Sequence, residues 1–293
     1  MKKTGTYYNK EPLYKAILYE RISMDTRFFG PSGWRLLHLI TFTYEPSHRD
    51  AVKEFFLLVP YVLPCKFCRR SLGEYMEEDP LEPALASRKT LSEWLYRIHN
   101  KVNAKLRGQG LPTAPDPSFA SVKKEYETRL AAGCSGTQFE GWEFLFSIAE
   151  NHPFSRGGRN SVPFEDCPSA AAATATAAER NRWNTMKPEE RMTFYRKFWI
   201  AVGPALPFPE WRAAWGRCSG DQVDAVGRRH RWLRSLWRIR SCLEKELDLK
   251  RSDSCFSALC DRLSAHRSGC GKRPRAKTCR RQPSRGEDTR KKR

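Results

Sequence analysis

Helical periodicity narrows the fold more than any other feature of this chain. Apolar residues recur at helical spacing in five stretches between residues 33 and 131, and sustained alternation with a period of two is hard to find. The pattern predicts an all-α fold. Gly33–Thr43 is apolar nearly all round and reads as a buried helix, followed by a second over Asp50–Val59. The third, Pro64–Glu78, starts at a proline, which suits a first helical turn. The fourth, Ser87–Leu106, puts Leu91, Trp94, Leu95, Ile98, Val102 and Leu106 on one face. Gly108, Gly110, Pro112, Pro115 and Pro117 then break the pattern before a short fifth helix, Ser118–Ala131.

At 293 residues the chain is long enough for about two domains and a substantial core. Hydrophobic residues make up 40%, which argues against wholesale disorder. No apolar run is long enough to span a bilayer, so no membrane partner is expected. Charges and tyrosines interrupt Met1–Ile22, which therefore does not read as a secretory leader, and a cytoplasmic location is expected. The formal charge of +20 is uneven. Residues 266–293 hold 12 Lys and Arg against 2 acids, a net +10 in a Gly/Pro/Ser/Thr-rich stretch that reads as a disordered basic tail. The low-complexity run Ser169–Ala178 marks a linker over about 155–182.

Ten cysteines in a chain expected to be cytosolic require an explanation. Cys65 and Cys68 form a CxxC at the start of the third helix. A helix N-terminus offers unsatisfied N–H groups and partial positive charge, which favour a thiolate. Thiols in such motifs reach pKa values of about 3.5–7.5. Lys66, Arg69 and Arg70 add positive potential. The pair can close a short, reducible disulfide. A structural zinc site would need two further ligands at suitable spacing, and no second CxxC exists, so no metal is expected. A thioredoxin-like site would want strands around it.

Other helices carry matching groups. Phe29-Gly30-Pro31-Ser32-Gly33-Trp34 is followed by Leu37-His38, so that Trp34 and His38 lie four residues apart on one helical face. His99 and Asn103 share a face of the fourth helix beside Asn100 and Lys105. Together these groups could converge on a flat heteroaromatic ligand. The ordered set GPSGWRLLH, PCKFCR and WLYRIHNKVNAKL resembles the Erv/ALR-type FAD-linked sulfhydryl oxidases over roughly residues 27–131.

That resemblance implies a four-helix bundle plus a short fifth helix, with FAD held between helices. It implies an enzyme that takes electrons from protein dithiols through the CxxC to FAD and then to O2, giving hydrogen peroxide. By position, Cys68 would be the flavin-proximal cysteine and Cys65 the sulfur that exchanges with the incoming dithiol. Gly30, Gly33, Trp34, His38 and Phe42 would line the cofactor. His99, Asn100, Asn103 and Lys105 would contact its adenine and phosphate parts, and Tyr126 is a further candidate. A thioredoxin-like or CxxC relay protein is a candidate dithiol donor, and a homodimer through the bundle helices is implied. No cysteine lies between Cys68 and Cys134 or before Cys65, so neither the second disulfide nor the N-terminal shuttle arm of cellular members is expected. These departures look more like the oxidases of large cytoplasmic DNA viruses, which would place the chain in host cytoplasm or virion.

The chain thus divides into an N-terminal segment (1–26), an oxidase domain (27–132), a helical C-terminal domain (133–250) and a basic flexible tail (251–293). The C-terminal domain carries landmarks in the same order. Gly141–Phe146 parallels Gly33–His38, Phe198–Arg212 parallels Phe55–Arg69, and Leu236–Leu247 parallels Leu95–Leu106. It reads as a degenerate copy in which Phe208 and Trp211 replace the cysteines, and Phe146 and Arg240 the histidines; chance matches among helical segments are the alternative. Cys255/Cys260 and Cys270/Cys279 are candidate shuttle pairs, and incidental thiols the plainer reading. The competing function is a basic nucleic-acid-binding or packaging protein with a structural CxxC, using Arg228–Arg240 and weak contacts through tail 266–293. Arg228–Arg240 interleaves six arginines with apolar residues at a spacing that suits a packed amphipathic helix better than a stacking platform.

Overall fold

A computed structural model describes residues 23–154, 186–251 and 253–268, apart from 109, 111 and 112. The expected linker at 155–182, the pair Cys270/Cys279 and most of the basic tail lie outside the described residues. The helices are α1 (Thr26–Phe42), α2 (Arg49–Val62), α3 (Lys66–Glu78), α4 (Leu81–Ala84), α5 (Arg88–Gly108) and α6 (Phe119–Ala131) in the first half. In the second half they are α7 (Trp142–Glu150), α8 (Pro188–Ala205), α9 (Pro209–Ser219), α10 (Arg229–Glu246) and α11 (Phe256–Ala265). The expected all-α class holds; β1 (Ser23–Met24) and β2 (Arg267–Ser268) add one small antiparallel pair.

The expected helices form, with shifted ends. Helix α1 begins seven residues before Gly33, because the Asp25 side chain caps it by accepting from the Arg27 amide at 2.9 Å. Helix α3 begins at Lys66, not at Pro64, and Cys65 is its N-cap.

The two halves repeat one plan. In the first, α1 packs on α5 and α6, and α3 packs on α2 and α5; in the second, α7 packs on α10 and α11, and α9 on α8 and α10. The sequence parallels therefore extend to the topology. They also extend to a fifth helix: Asp116, Phe119, Val122 and Tyr126 at α6 are matched at the same spacing by Asp253, Phe256, Leu259 and Leu263 at α11. Leu259 and Leu263 are each 1% exposed. Structure thus continues beyond residue 251, where the flexible tail was expected to begin, and reaches Ser268 in β2.

Equivalent helices meet across the join. Helix α1 lies on α7, and α2 on α8. Phe55 and Phe198, equivalent positions, stack with ring centroids 5.5 Å apart. A Cβ on Gly33 would lie 2.8 Å from Phe144 Cδ2, and one on Gly141 would lie 2.7 Å from Leu36 Cδ2. Gly33 corresponds to Gly141 and Leu36 to Phe144, so each contact is the image of the other, as in an isologous interface. One continuous core, including Leu36, Phe55, Trp94, Phe144, Phe198 and Trp232, runs through both halves.

Candidate active site

Residue Cys65 caps α3 with its own sulfur, since the Cys68 amide donates to Cys65 Sγ at 3.3 Å. An N–H aimed at sulfur at the positive end of a helix favours thiolate over thiol. Cys65 is 1% exposed, whereas Cys68 is partly exposed. Arg69 follows, buried at 6% exposure, and its Nη1 donates to the Leu63 carbonyl at 2.8 Å.

A strip of rings runs from α1 to α5 and α6. The half-buried Trp34 and His99 stack at 3.9 Å, 11° from parallel. His38 Nε2 meets His99 Nδ1 at 3.1 Å, so at least one ring is neutral to let the other donate. Burial pushes the His38 imidazole down to about 3, with the charge of His99 adding to the effect. Burial pushes His99 down to about 4, partly countered by Asp116. Both are neutral at ordinary pH. The strip continues through Tyr126, 5.1 Å from His38, to Phe42, which stacks on Tyr126 at 5.2 Å.

The remaining predicted positions spread around this strip. Gly30 has open space where a Cβ would stand, whereas Gly33 is taken up by Phe144 of α7. Asn103 donates to Asp116 at 2.8 Å, and the Lys105 ammonium bonds Ser71 on α3. Asn100 is half-buried beside them. Sequence reasoning gave no role to Asp116, which also receives Arg107. It counted Arg69 as one cation among three, although its counterpart Arg212 already stood in the parallel Phe55–Arg69 and Phe198–Arg212 segments.

The matching region of the second half is closed. Arg240 stands at the position of His99, is 0% exposed, and lies 5.8 Å from the Trp142 ring and 5.9 Å from Phe146, the counterparts of Trp34 and His38. It donates to Glu244 at 2.7 Å and to Asp253 at 2.6 Å, which also binds Arg262. A buried guanidinium with its carboxylates fills this space. Trp232, Leu233, Leu236 and Ile239 of α10 are buried as well, so this basic helix shows no row of exposed aromatics on which bases could stack.

Two further cysteines, Cys218 of α9 and Cys242 of α10, form a disulfide that the sequence reading did not pair. By position they correspond to Tyr75 and Lys101, whose side chains meet as a cation over a ring at 5.7 Å. Glu246 lies against the disulfide, so these three residues group together. Cys255 and Cys260, one candidate shuttle pair, are both free; Cys255 is the exposed N-cap of α11 and Cys260 lies within it.

The family model of the Erv1 / Alr family matches residues 31–126. Among curated proteins, the mitochondrial FAD-linked sulfhydryl oxidase ERV1 of Saccharomyces cerevisiae is 33% identical over 87 residues, 28% of this chain and 45% of that protein. A probable FAD-linked sulfhydryl oxidase of Acanthamoeba polyphaga mimivirus is 34% identical over 105 residues, 34% of this chain and 73% of that protein. A putative FAD-linked sulfhydryl oxidase of Invertebrate iridescent virus 3 is 30% identical over 122 residues, 40% of this chain and 81% of that protein. No solved structure matches the chain at comparable significance.

The chain belongs to the Erv1 / Alr family. Its matched domain is a FAD-linked thiol oxidase domain, with FAD as the cofactor. The site fits such a group on its own terms: a half-buried Trp34–His99 stack, open space at Gly30, and a buried His38 Nδ1 with no hydrogen-bond partner among the described residues. Residues beyond 126 fall outside the family match. Among the described residues no helix is long and apolar enough to cross a membrane.

Proposed function

We propose that the whole chain oxidises protein dithiols to disulfides through the Cys65–Cys68 pair and reduces O2 to hydrogen peroxide. The observation that carries this reading is the CxxC at the N-terminus of α3, with the Cys68 amide directed at Cys65 Sγ. In the oxidised pair, a substrate thiolate attacks Cys65 sulfur, the Cys65–Cys68 bond breaks, and Cys68 leaves as a thiolate held at the helix end. The second substrate thiol then attacks the mixed disulfide, releasing Cys65 and the substrate disulfide. Because Cys65 is 1% exposed, this exchange requires the connection between α2 and α3 to open. A bound FAD would supply the two-electron acceptor for the reduced Cys65–Cys68 pair and the route from it to O2.

Gly30, Trp34, His38, Phe42, His99 and Tyr126 would line the cofactor's ring systems, whereas Gly33, packed against Phe144, serves the close approach of α1 and α7. Asn100, Asn103 and Lys105 would meet its polar parts, the last two by leaving Asp116 and Ser71. The implied homodimer has a counterpart within the chain, since α7 and α8 cover α1 and α2; the working unit is accordingly one chain with one redox centre. The substrate is a protein dithiol, with a thioredoxin-like or CxxC relay protein as donor. The viral relatives favour host cytoplasm or virion as the location.

The test is direct. Purified protein should be yellow with a flavin spectrum and should consume O2 with dithiothreitol. A colourless protein that cannot be reconstituted with FAD would refute the reading.

A further inference from the structure

The first turn of α3 contains a buried cation that thiol exchange as described above does not use. Arg69 follows Cys68, is 6% exposed, and its guanidinium donates to the carbonyl of Leu63, two residues before Cys65. We propose that Arg69 is a positioning residue whose buried charge holds the Cys65–Cys68 pair in the thiolate form needed for exchange and electron transfer. The inference rests on the reading of that pair as the redox centre.

The second half supplies an internal comparison. Arg212 occupies the same place in α9, and its Nη1 donates to the Leu206 carbonyl at 2.8 Å, the same reach of six residues as from Arg69 to Leu63. There Phe208 and Trp211 stand where the sulfurs are. The carbonyl contact therefore belongs to the fold and is made in both halves. Only in the first does the segment carry two ionisable thiols, and only there is the arginine buried, Arg212 being partly exposed. Burial brings Arg69 down to about 10, and negative charge on Cys65 and Cys68 raises it. The coupling is mutual, and it is stronger away from water.

Several of the described charges around α3 are engaged elsewhere. Arg70 pairs with Glu74 on the exposed face. From α5, Lys101 pairs with Glu78, Arg97 with Asp79, and Lys105 bonds Ser71. From α2, Tyr61 stacks on Phe194 of α8. His38 and His99, on α1 and α5, are neutral at ordinary pH.

The experiment measures the pH midpoint for alkylation of the reduced pair in the anaerobic holoprotein, using iodoacetamide and mass spectrometry of the Cys65–Cys68 peptide. The wild-type midpoint should fall below the ordinary thiol value of about 8.5. Arg69→Gln, which keeps a donor but loses the charge, should raise it by about 1–3 units, as expected for loss of an adjacent opposite charge. Arg69→Lys should recover most of the shift, and Arg212→Gln should leave the midpoint unchanged. An Arg69→Gln midpoint equal to wild type would overturn the proposal, as would an equal shift in Arg212→Gln. If Arg69→Gln does not fold, the wild-type midpoint decides: a value at or above the ordinary one overturns the proposal. Oxygen consumption by the wild type, run in parallel, separates failure of this inference from failure of the oxidase reading.

Discussion

Phe55 and Phe198 stack on each other at 5.5 Å, and each holds in its own repeat the place that the other holds in the second. A pair of this kind lies on a pseudo-twofold axis. The rings are 1% and 0% exposed and join α2 to α8 at the centre of the shared core. Removing either should cost similar amounts. Phe55→Ala and Phe198→Ala are each expected to lose about 3–5 kcal/mol. Urea unfolding should remain a single transition in both, because the halves share one core. Two separated transitions would mean that the halves fold independently.

Close approach of α1 and α7 predicts intolerance at two glycines. Gly33→Ala and Gly141→Ala should each destabilise by about 1–3 kcal/mol, since the new methyl meets Phe144 or Leu36, both already enclosed. Gly30→Ala, where no heavy atom lies within 4 Å of the new Cβ, should leave stability nearly unchanged. Denaturant midpoints for the three variants would check this.

Chemistry should be lost at the sulfurs without loss of the fold. Cys65→Ser and Cys68→Ser are expected to lower dithiothreitol-dependent O2 consumption by about a thousandfold or more, the scale on which removal of a reacting group acts. The melting temperature should move by only a few degrees. Substantial turnover in both variants would assign the chemistry to another pair, with Cys255 and Cys260 next in line.

Protonation of the buried histidines should set an acid limit. His38 and His99 are lowered to about 3 and about 4, against about 6.5 in the unfolded chain. Stability from their neutral forms is complete above pH 6.5. It is lost as pH falls from there toward 4, because the unfolded chain takes up protons that the native state refuses. The slope is up to about 1.4 kcal/mol per pH unit for His38, and less for the half-buried His99. Melts from pH 7.5 to 4.5 should show this decline, and His38→Gln should flatten it.

The Cys218–Cys242 disulfide should matter to stability and not to turnover. It closes a loop with a sequence separation of 24 residues, for which chain entropy gives about 3 kcal/mol. Cys218→Ser with Cys242→Ser should lower stability by up to that amount. Unchanged stability would make the bond incidental, and a collapse in turnover would make it part of the electron path.

Most of the first half was legible because its signals are local. The heptad-like face of α5 and the CxxC at a helix start are each written within a few turns of chain. The part of the strip formed by Trp34, His38 and His99 was readable from helical spacing, whereas Phe42 and Tyr126 came only from the family resemblance. Helix α11 was hidden because its buried face amounts to Leu259 and Leu263, four residues apart, next to a strongly basic stretch. Its relation to α6 emerges only when Asp253 is aligned with Asp116. Arg240 is basic in sequence and central in the fold, because Glu244 and Asp253 reach it from one turn on and from the following loop. The disulfide was unreadable for a related reason: its two cysteines belong to different helices, and the positions parallel to them, Tyr75 and Lys101, carry no sulfur.

Covalent linkage of the two repeats changes what the α1–α7 contact is allowed to become. In an assembly of identical subunits every substitution at the axis appears twice, and both copies dissociate on dilution. Here dilution cannot part them, and each side can drift alone. Gly33 and Gly141 are the same residue type, whereas the side chains packed on them differ, Phe144 on the one and Leu36 on the other.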